Sequence, residues 1–397
     1  MKRSTKLLKT PVVAASNTPV VQPIYQTSLF RMPTYRVAVE TESQVHPIAY
    51  YSRWGNPTVS HLENQLSNLL ETDGSLIFPS GMSAITTTMF ALAAPGQAVA
   101  ISDSLYGDTT RFFLEDLAKW GVEVHTFDQS NAETLRALSP SRPFSFVYYE
   151  ALTNPDLKPI DLPPIQEFCR ERSILSICDS TFVPPFMLRQ GARLADIIIM
   201  SLTKYVGGHS SAFGGSVSAE RSLCERIWHT QSLYGAAIDP GTAATISQGL
   251  KTLELRISRQ SKSALRLAEV LSAHPRVEHV IYPGLPNYAF SSLADRYIDM
   301  GGGVLSFFLR GDESSIARFI ESVKVVQISV SLGGLHSCIE HAEAMSHSML
   351  KAMDDHVLDS SRAQRPDAAL MRLSVGVEDV TDLEADVLRA LEHCEGQ

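Results

Sequence analysis

The chain has 397 residues, 44% hydrophobic and 19% charged, enough to bury a large core across two or three structural units. Its formal net charge of −9 argues against a nucleic-acid partner, whose contact face would carry an excess of Lys and Arg, and favours small molecules. The five cysteines, Cys169, Cys178, Cys224, Cys338 and Cys394, form no CxxC pair; neither a zinc site nor a disulfide framework is indicated, and a reducing cytoplasm fits.

The first residues, MKRSTKLLK, are basic, but the PVVAA stretch that follows is too short for the apolar core of a signal peptide. No apolar run approaches the roughly 18 residues needed to span a bilayer, so the chain reads as soluble, without a membrane partner. Residues 1–60 are rich in Pro, Ser and Thr without clear periodicity and are expected to form an extended arm, reaching across a subunit interface or wrapping its own domain. From about 75 to 220, short apolar runs alternate with segments of helical period: VAIS (99–102), FSFVYY (144–149), ILSIC (174–178) and DIIIMS (196–201). DIIIMS is apolar on both faces, as a strand of a parallel sheet covered by helices on each side would be. Ligands of such a sheet sit at the strand C-terminal ends. A long helical stretch from about Thr242 to Ala273 leads to the turn YPGLPN, then to a strand (GGVLSFFLR), a helix, a second strand (MRLSVG) and a last helix. This predicts a smaller α+β domain. The glycines at 301–303 lack the Lys-Ser/Thr of a phosphate loop and read as a turn leading into a strand.

Three motifs carry chemistry. In DIIIMSLTKYVGGHSS a buried strand delivers Ser201, Thr203 and Lys204 into a polar, glycine-rich loop. A lone lysine after a strand is ordinarily solvated, but one flanked by hydroxyls and small residues suits a desolvated amine that attacks a carbonyl. ILSICDST ends another strand with Asp179, which alone reads as a cap or turn residue. Beside such a lysine it can be the carboxylate that keeps a pyridine nitrogen protonated and makes the ring an electron sink. In FPSGMSAITTTMFALAA, Ser80 is placed as the N-cap of a helix whose first amides, at Gly81 and Met82, are free. Most helix starts bind nothing, yet free amides and the helix dipole make a phosphate cradle.

Taken in order, PIYQTSLF (24–30), YSRWGNPT (51–58), SGM (80–82), LYGDT (105–109), TNP (153–155), CDSTFVPP (178–185), the lysine motif, GLKTLELR (249–256), YPGLP (282–286), SLGG (331–334) and RLSVGVED (372–379) resemble the Cys/Met-metabolism branch of fold-type I pyridoxal-phosphate enzymes. That branch includes cystathionine γ-synthase, the cystathionine γ- and β-lyases and methionine γ-lyase, and the likeness covers nearly the whole chain. It implies an aspartate aminotransferase-like α/β fold, with a mostly parallel seven-stranded sheet and helices on both faces. The implied division is an arm (1–60), a large cofactor-binding domain (61–255) and a smaller C-terminal α+β domain (256–397).

The resemblance also implies roles. Pyridoxal 5'-phosphate would be the cofactor, with Lys204 bonded to its aldehyde carbon and later shuttling protons, and Asp179 paired with its ring nitrogen. Tyr106 would stack on the ring, and Asn154 would face its hydroxyl. The phosphate would be held by the amides of Gly81 and Met82, by Ser201 and Thr203, and by Tyr51 and Arg53 of a neighbouring subunit, in a homotetramer of two dimers; Thr181 joins the cofactor contacts. Arg372, with Ser331, would clamp the substrate carboxylate. Taken singly, Tyr106 reads as core, Arg53 as a surface ion pair and Arg372 as a strand-edge charge. Two positions depart from the pattern: Ser180 stands where Asn is usual and Ser211 where Asp is usual.

The expected function is γ-elimination or γ-replacement on a γ-substituted L-amino acid, in trans-sulfuration, methionine metabolism or amino-acid biosynthesis. The alternatives are β-elimination of the cystathionine β-lyase type and, in another class, an inactive cofactor-binding regulator. Relatives that handle cystathionine carry two distal carboxylates, at positions matched here to Tyr50 and His336, while Arg111 matches an arginine near the distal end. Tyr50 and His336 also read as mere packing residues. Without those carboxylates, a substrate lacking a distal amino group is expected.

Overall fold

The computed structural model describes residues 2–12, 19–345 and 368–393. Its first sheet holds β1 (Gly74–Phe78), β2 (Ala98–Ser102), β3 (Glu123–Phe127), β4 (Phe144–Glu150), β5 (Leu175–Asp179), β6 (Ile197–Ser201) and β7 (Gly215–Ala219), in the order β1-β7-β6-β5-β4-β2-β3. Only β7 runs against its neighbours. Both faces are covered: along β4, Val147 and Tyr149 pack into one apolar cluster, and Phe146 and Tyr148 into the other. That two-sided burial is why these strands read as continuous apolar runs rather than alternating ones. The expected seven-stranded, mostly parallel sheet is present.

The second sheet holds β8 (Val277–Ile281), β9 (Val304–Arg310), β10 (Gln327–Ile328), β11 (Cys338–His341) and β12 (Ala368–Ser374), in the order β10-β11-β12-β9-β8. It is antiparallel except for the β10/β11 pair. The helices Leu253–Ser272 and Val380–Glu392 cover it through Leu267, Leu271, Leu383 and Val387. The glycines at 301–303 lead into β9, with Gly302 at φ +82°.

Two expectations need correction. The helical stretch at 242–273 is two helices, Pro240–Lys251 and Leu253–Ser272, meeting at Thr252. The buried Arg256 guanidinium takes the Gly249 carbonyl at 2.8 Å as well as the Tyr205 and Val206 carbonyls, and Gly249 packs so closely on the Gly207 backbone that a Cβ would stand 2.1 Å from its oxygen. The arm, in turn, is not wholly extended: it contains the helices Arg3–Leu8 and Tyr35–Glu42, and the helix Pro57–Leu70 begins inside it. Its start is tied to its own domain by Arg3, which donates to the carbonyls of Pro185 at 2.8 Å and Leu188 at 2.7 Å.

Candidate active site

The parallel strands aim their C-terminal ends at one cavity of about 420 Å³. At one end lies the start of the helix Gly81–Leu92. Ser80 caps it, its hydroxyl accepting the Ser83 N–H at 3.0 Å, while the Gly81 and Met82 amides have no acceptor within the helix. Glycine is required at 81, because a Cβ would stand 2.9 Å from the Ser201 Cβ. The loop after β6 is held rigid beside it: the Ser201 amide donates to Thr181 Oγ1 at 2.8 Å, and Thr203 Oγ1 accepts the Gly214 N–H at 3.1 Å. Bare amides and hydroxyls with helix-dipole support form a cradle for an anion.

Lys204 reaches the same cavity from that loop. Its Nζ donates at 2.8 Å to the Ser331 hydroxyl, a neutral partner rather than a carboxylate. Burial, reinforced by the Arg372 guanidinium and opposed by Glu340, brings its ammonium down to about 8. The free amine, the form that attacks a carbonyl, is therefore far more populated near neutrality than for an ordinary lysine, and it becomes the major form only above about 8. Ser331 itself has φ +87°, a left-handed conformation that costs a non-glycine residue of order 1–3 kcal/mol. Its hydroxyl meets Lys204 while its carbonyl accepts from Arg372 at 2.9 Å.

Arg372, 3% exposed on β12, also donates to Asn154 Oδ1 at 2.8 Å and pairs with Glu340 at 2.9 Å, directly across on β11. Its Nε is buried without a hydrogen-bond partner. A preset guanidinium with one donor unused suits an incoming carboxylate. On the sheet side Asp179 closes β5, accepting the Thr181 N–H at 2.8 Å. Burial raises its carboxyl and the hydrogen bonds from Thr181 pull it back. A cation placed against it would favour the ionised form. Anion cradle, buried acid and low-pKa amine thus surround one cavity, and these residues fit a phosphorylated pyridine aldehyde.

The cavity wall includes Gly81, Met82, Tyr106, Asn154, Asp179 and Thr181, and also Ser201, Thr203, Lys204, Ser331 and Arg372. Tyr106 is half-buried, its hydroxyl donating to Asp108 at 2.9 Å; burial and that carboxylate push it up to about 12. Five residues singled out from the sequence are not on this wall. Tyr50 stacks on Trp54, Arg53 lies over the Tyr51 ring and donates to the Ser232 carbonyl, Arg111 pairs with Glu115 at 3.3 Å, and His336 is exposed. Of the segment carrying SLGG, Val330, Ser331 and Leu332 reach the cavity and His336 does not; Phe213 joins them at its mouth. Glu150, at the end of β4, is also a wall residue that the motifs did not single out. An acid closing a strand adjacent to the Asp179 strand was the available signal. Ser180, at the departure from Asn, is buried and turns its hydroxyl to the Val183 carbonyl at 2.5 Å, away from the cavity chemistry.

Comparison with known proteins matches residues 4–392 to the family model for Cys/Met metabolism PLP-dependent enzymes. The L-methionine γ-lyase of Pseudomonas deceptionensis is 32% identical over 380 residues, which span 95% of this chain and 93% of that protein. The crystal structure of metB from Corynebacterium glutamicum superposes with a TM-score of 0.90 at 29% identity, covering 100% of this chain and 99% of that one. Cystathionine γ-synthase from Xanthomonas oryzae pv. oryzae, solved with aminoacrylate and cysteine, gives 0.88 at 29% identity, covering 99% and 98%.

Proposed function

The chain belongs to the Cys/Met metabolism PLP-dependent enzymes, and we propose that within this family it catalyses γ-elimination or γ-replacement on a γ-substituted L-amino acid. The observation that carries this reading is the Lys204 amine, lowered to about 8 and held by Ser331 beside the Arg372 guanidinium. When bound, the cofactor supplies an electron sink for charge developing on the substrate. Arg372 would fix the substrate carboxylate and so hold the substrate's Cα near Lys204, since both side chains meet at Ser331. Freed from the aldehyde carbon when the substrate amine takes its place, Lys204 would take the proton from Cα and then assist loss of a proton from Cβ, so that the γ-substituent leaves with its bonding electrons. Asp179 would keep the ring nitrogen protonated, Tyr106 would cover the ring face, and Asn154, hydrogen-bonded to Arg372, would face the ring hydroxyl. Identifying the keto acid released from cystathionine, methionine, homocysteine and O-acylated homoserines, with and without cysteine, tests the reaction. 2-Oxobutanoate supports γ-chemistry; pyruvate from cystathionine as the main product supports the β-lyase alternative.

We place the preferred substrate among those without a distal amino group. The side chains at the cavity mouth, Val330 and Phe213, are apolar and 50% and 74% exposed, and they offer no carboxylate to a second ammonium. Arg111, exposed and on no wall of its own chain's cavity, would add positive charge only from a neighbouring subunit or after rearrangement. A desolvated ammonium without a partner costs about 1–3 kcal/mol, so kcat/KM for O-succinylhomoserine or methionine is expected to exceed that for cystathionine by about 10-fold or more. A clear preference for cystathionine contradicts the assignment.

We further propose a homotetramer of two dimers with shared sites, in the cytoplasm. The arm exposes Val20 at 99%, Tyr35 at 86% and Leu29 at 67%, and the helix Tyr35–Glu42 buries none of its residues within the chain, a surface that calls for a partner. Tyr51 and Arg53, outside their own cavity, are then available to the phosphate of a neighbour. Among the described residues four cysteines are free and no helix is long and apolar enough to cross a membrane. We keep the division into arm, large unit and C-terminal unit near residues 60 and 255; the first precedes both sheets, and the second falls between the last strand of the first sheet, Gly215–Ala219, and the first strand of the second, Val277–Ile281. Mixing an Arg53→Ala protein with a Lys204→Ala protein is expected to restore part of the activity, since mixed dimers hold one intact site. No recovery after confirmed subunit exchange contradicts shared sites.

A further inference from the structure

Glu150 lies where two cofactor-facing segments meet. It closes β4, is 5% exposed, and lines the cavity. Its Oε1 accepts the Tyr106 amide at 2.7 Å, so one carboxyl group fixes the main chain that carries the aromatic face. Its own backbone is pinned in turn by Gln129, which accepts the Glu150 N–H at 3.2 Å and donates to the Glu150 carbonyl at 2.9 Å. On the next strand its register partner is Asp179. Residues paired across adjacent strands point to the same face, so two carboxyl groups share the floor of one buried cavity.

Two neighbouring carboxyl groups with little water cannot both ionise, and the one with fewer donors keeps the proton. Asp179 is served by the Thr181 amide and hydroxyl and by the Tyr148 hydroxyl, Glu150 by the Tyr106 and Asn154 amides. Burial first, and then the charge of Asp179, push Glu150 well above the usual carboxylate range. Facing this pair are Tyr148, fully buried two residues earlier on the same face of β4 with its hydroxyl raised by burial and by both carboxyl groups, and the backbone amides of Tyr106 and Asn154, which serve Glu150.

We propose that Glu150 is a positioning residue of the cofactor site: as an undissociated acid it ties the Tyr106 main chain to the strand end bearing Asp179 and leaves the single negative charge on Asp179. The Tyr106 ring and the Asp179 carboxylate are thereby held in fixed relation, one for the face of the cofactor ring and one for its nitrogen. A glutamine reproduces this role, since its amide oxygen accepts the same N–H and it carries no charge. An alanine leaves a buried amide without an acceptor and frees the Tyr106 segment. The inference rests on the reading that this cavity holds pyridoxal 5'-phosphate.

The test uses the full-length protein stripped of cofactor and titrated with pyridoxal 5'-phosphate, following the dissociation constant and the visible circular dichroism of the bound cofactor at equal occupancy. Glu150→Gln is expected to stay within about threefold of the unsubstituted protein in affinity with an unchanged dichroic band, and Glu150→Ala to bind on the order of tenfold or more weakly with an altered band, the loss of one buried acceptor. Dichroism reports the orientation of the ring, which a general loss of stability would not move at equal occupancy. A Glu150→Gln protein with an altered band overturns the proposal, because the charge and not the acceptor would then matter; this holds even if the alanine variant does not fold. A Glu150→Ala protein with the original affinity and band overturns it equally. If the unsubstituted protein fails to bind the cofactor at all, the reading of the cavity fails instead.

Discussion

Replacing Lys204 with Ala is expected to remove turnover to background and, with it, the covalent visible absorbance of the bound cofactor. The lysine is asked both to hold the cofactor and to move protons at the substrate, and a positioned acid–base group alone contributes typically 10²–10⁴-fold, so the loss is at least about that large. Affinity for the phosphate end persists, because the amides of Gly81 and Met82 and the Thr203 hydroxyl are untouched. The lowered amine sets a pH dependence as well. Below about 8 the Lys204 amine is mostly protonated and cannot attack an aldehyde; above it the free amine dominates. The rate at which cofactor-free protein captures pyridoxal 5'-phosphate should therefore rise between pH 7 and pH 9 and level off, in a stopped-flow trace of the visible band. Wild-type activity in Lys204→Ala, or a capture rate that falls across this range, contradicts the assignment.

Asp179→Ala should keep part of its bound cofactor but lose about 10²–10³-fold in kcat, the scale for removing a preorganised charge from a transition state. The physical reason is the ring nitrogen, which loses its buried counter-charge and gives up its proton, so the ring withdraws electrons poorly. Cofactor affinity is expected to fall less than kcat, since the anion cradle and Lys204 lie on other elements. The check is to measure occupancy and single-turnover rate on the same sample. Turnover near that of the unsubstituted protein would remove Asp179 from the mechanism.

These two residues are legible in the amino-acid sequence because each follows a buried apolar run, Asp179 directly after ILSIC and Lys204 in the loop three residues beyond DIIIMS, and polar groups there face the ligand end of a parallel sheet. The Ser80 cap is legible for a similar reason, its helix following a turn directly. The strands β1 and β7 are harder. β7 reads GSVSA, a loop-like composition, yet all five residues are buried. Small side chains are demanded there because the strand abuts the helix start: a Cβ on Gly215 would stand 2.1 Å from the Ser80 carbonyl oxygen. Glu150 escapes a sequence reading because its meaning lies in a register partner and in a Tyr106 amide 44 residues away, neither of which a linear motif displays. That Val330 lines the cavity while His336 does not is hidden from the sequence for a related reason. The segment reverses at Ser331 and Gly333, both at positive φ, and only the fold decides which side of that turn faces the cavity.

The central claim, that pyridoxal 5'-phosphate is held in this cavity through Lys204, is tested most directly by trapping the covalent bond. Reduction of the holoenzyme with borohydride, proteolysis and mass spectrometry should place the pyridoxyl group on the peptide containing Lys204, with loss of the visible band in step with labelling. A pyridoxyl group on any other lysine, or a yellow protein that carries no label after reduction, would contradict the account.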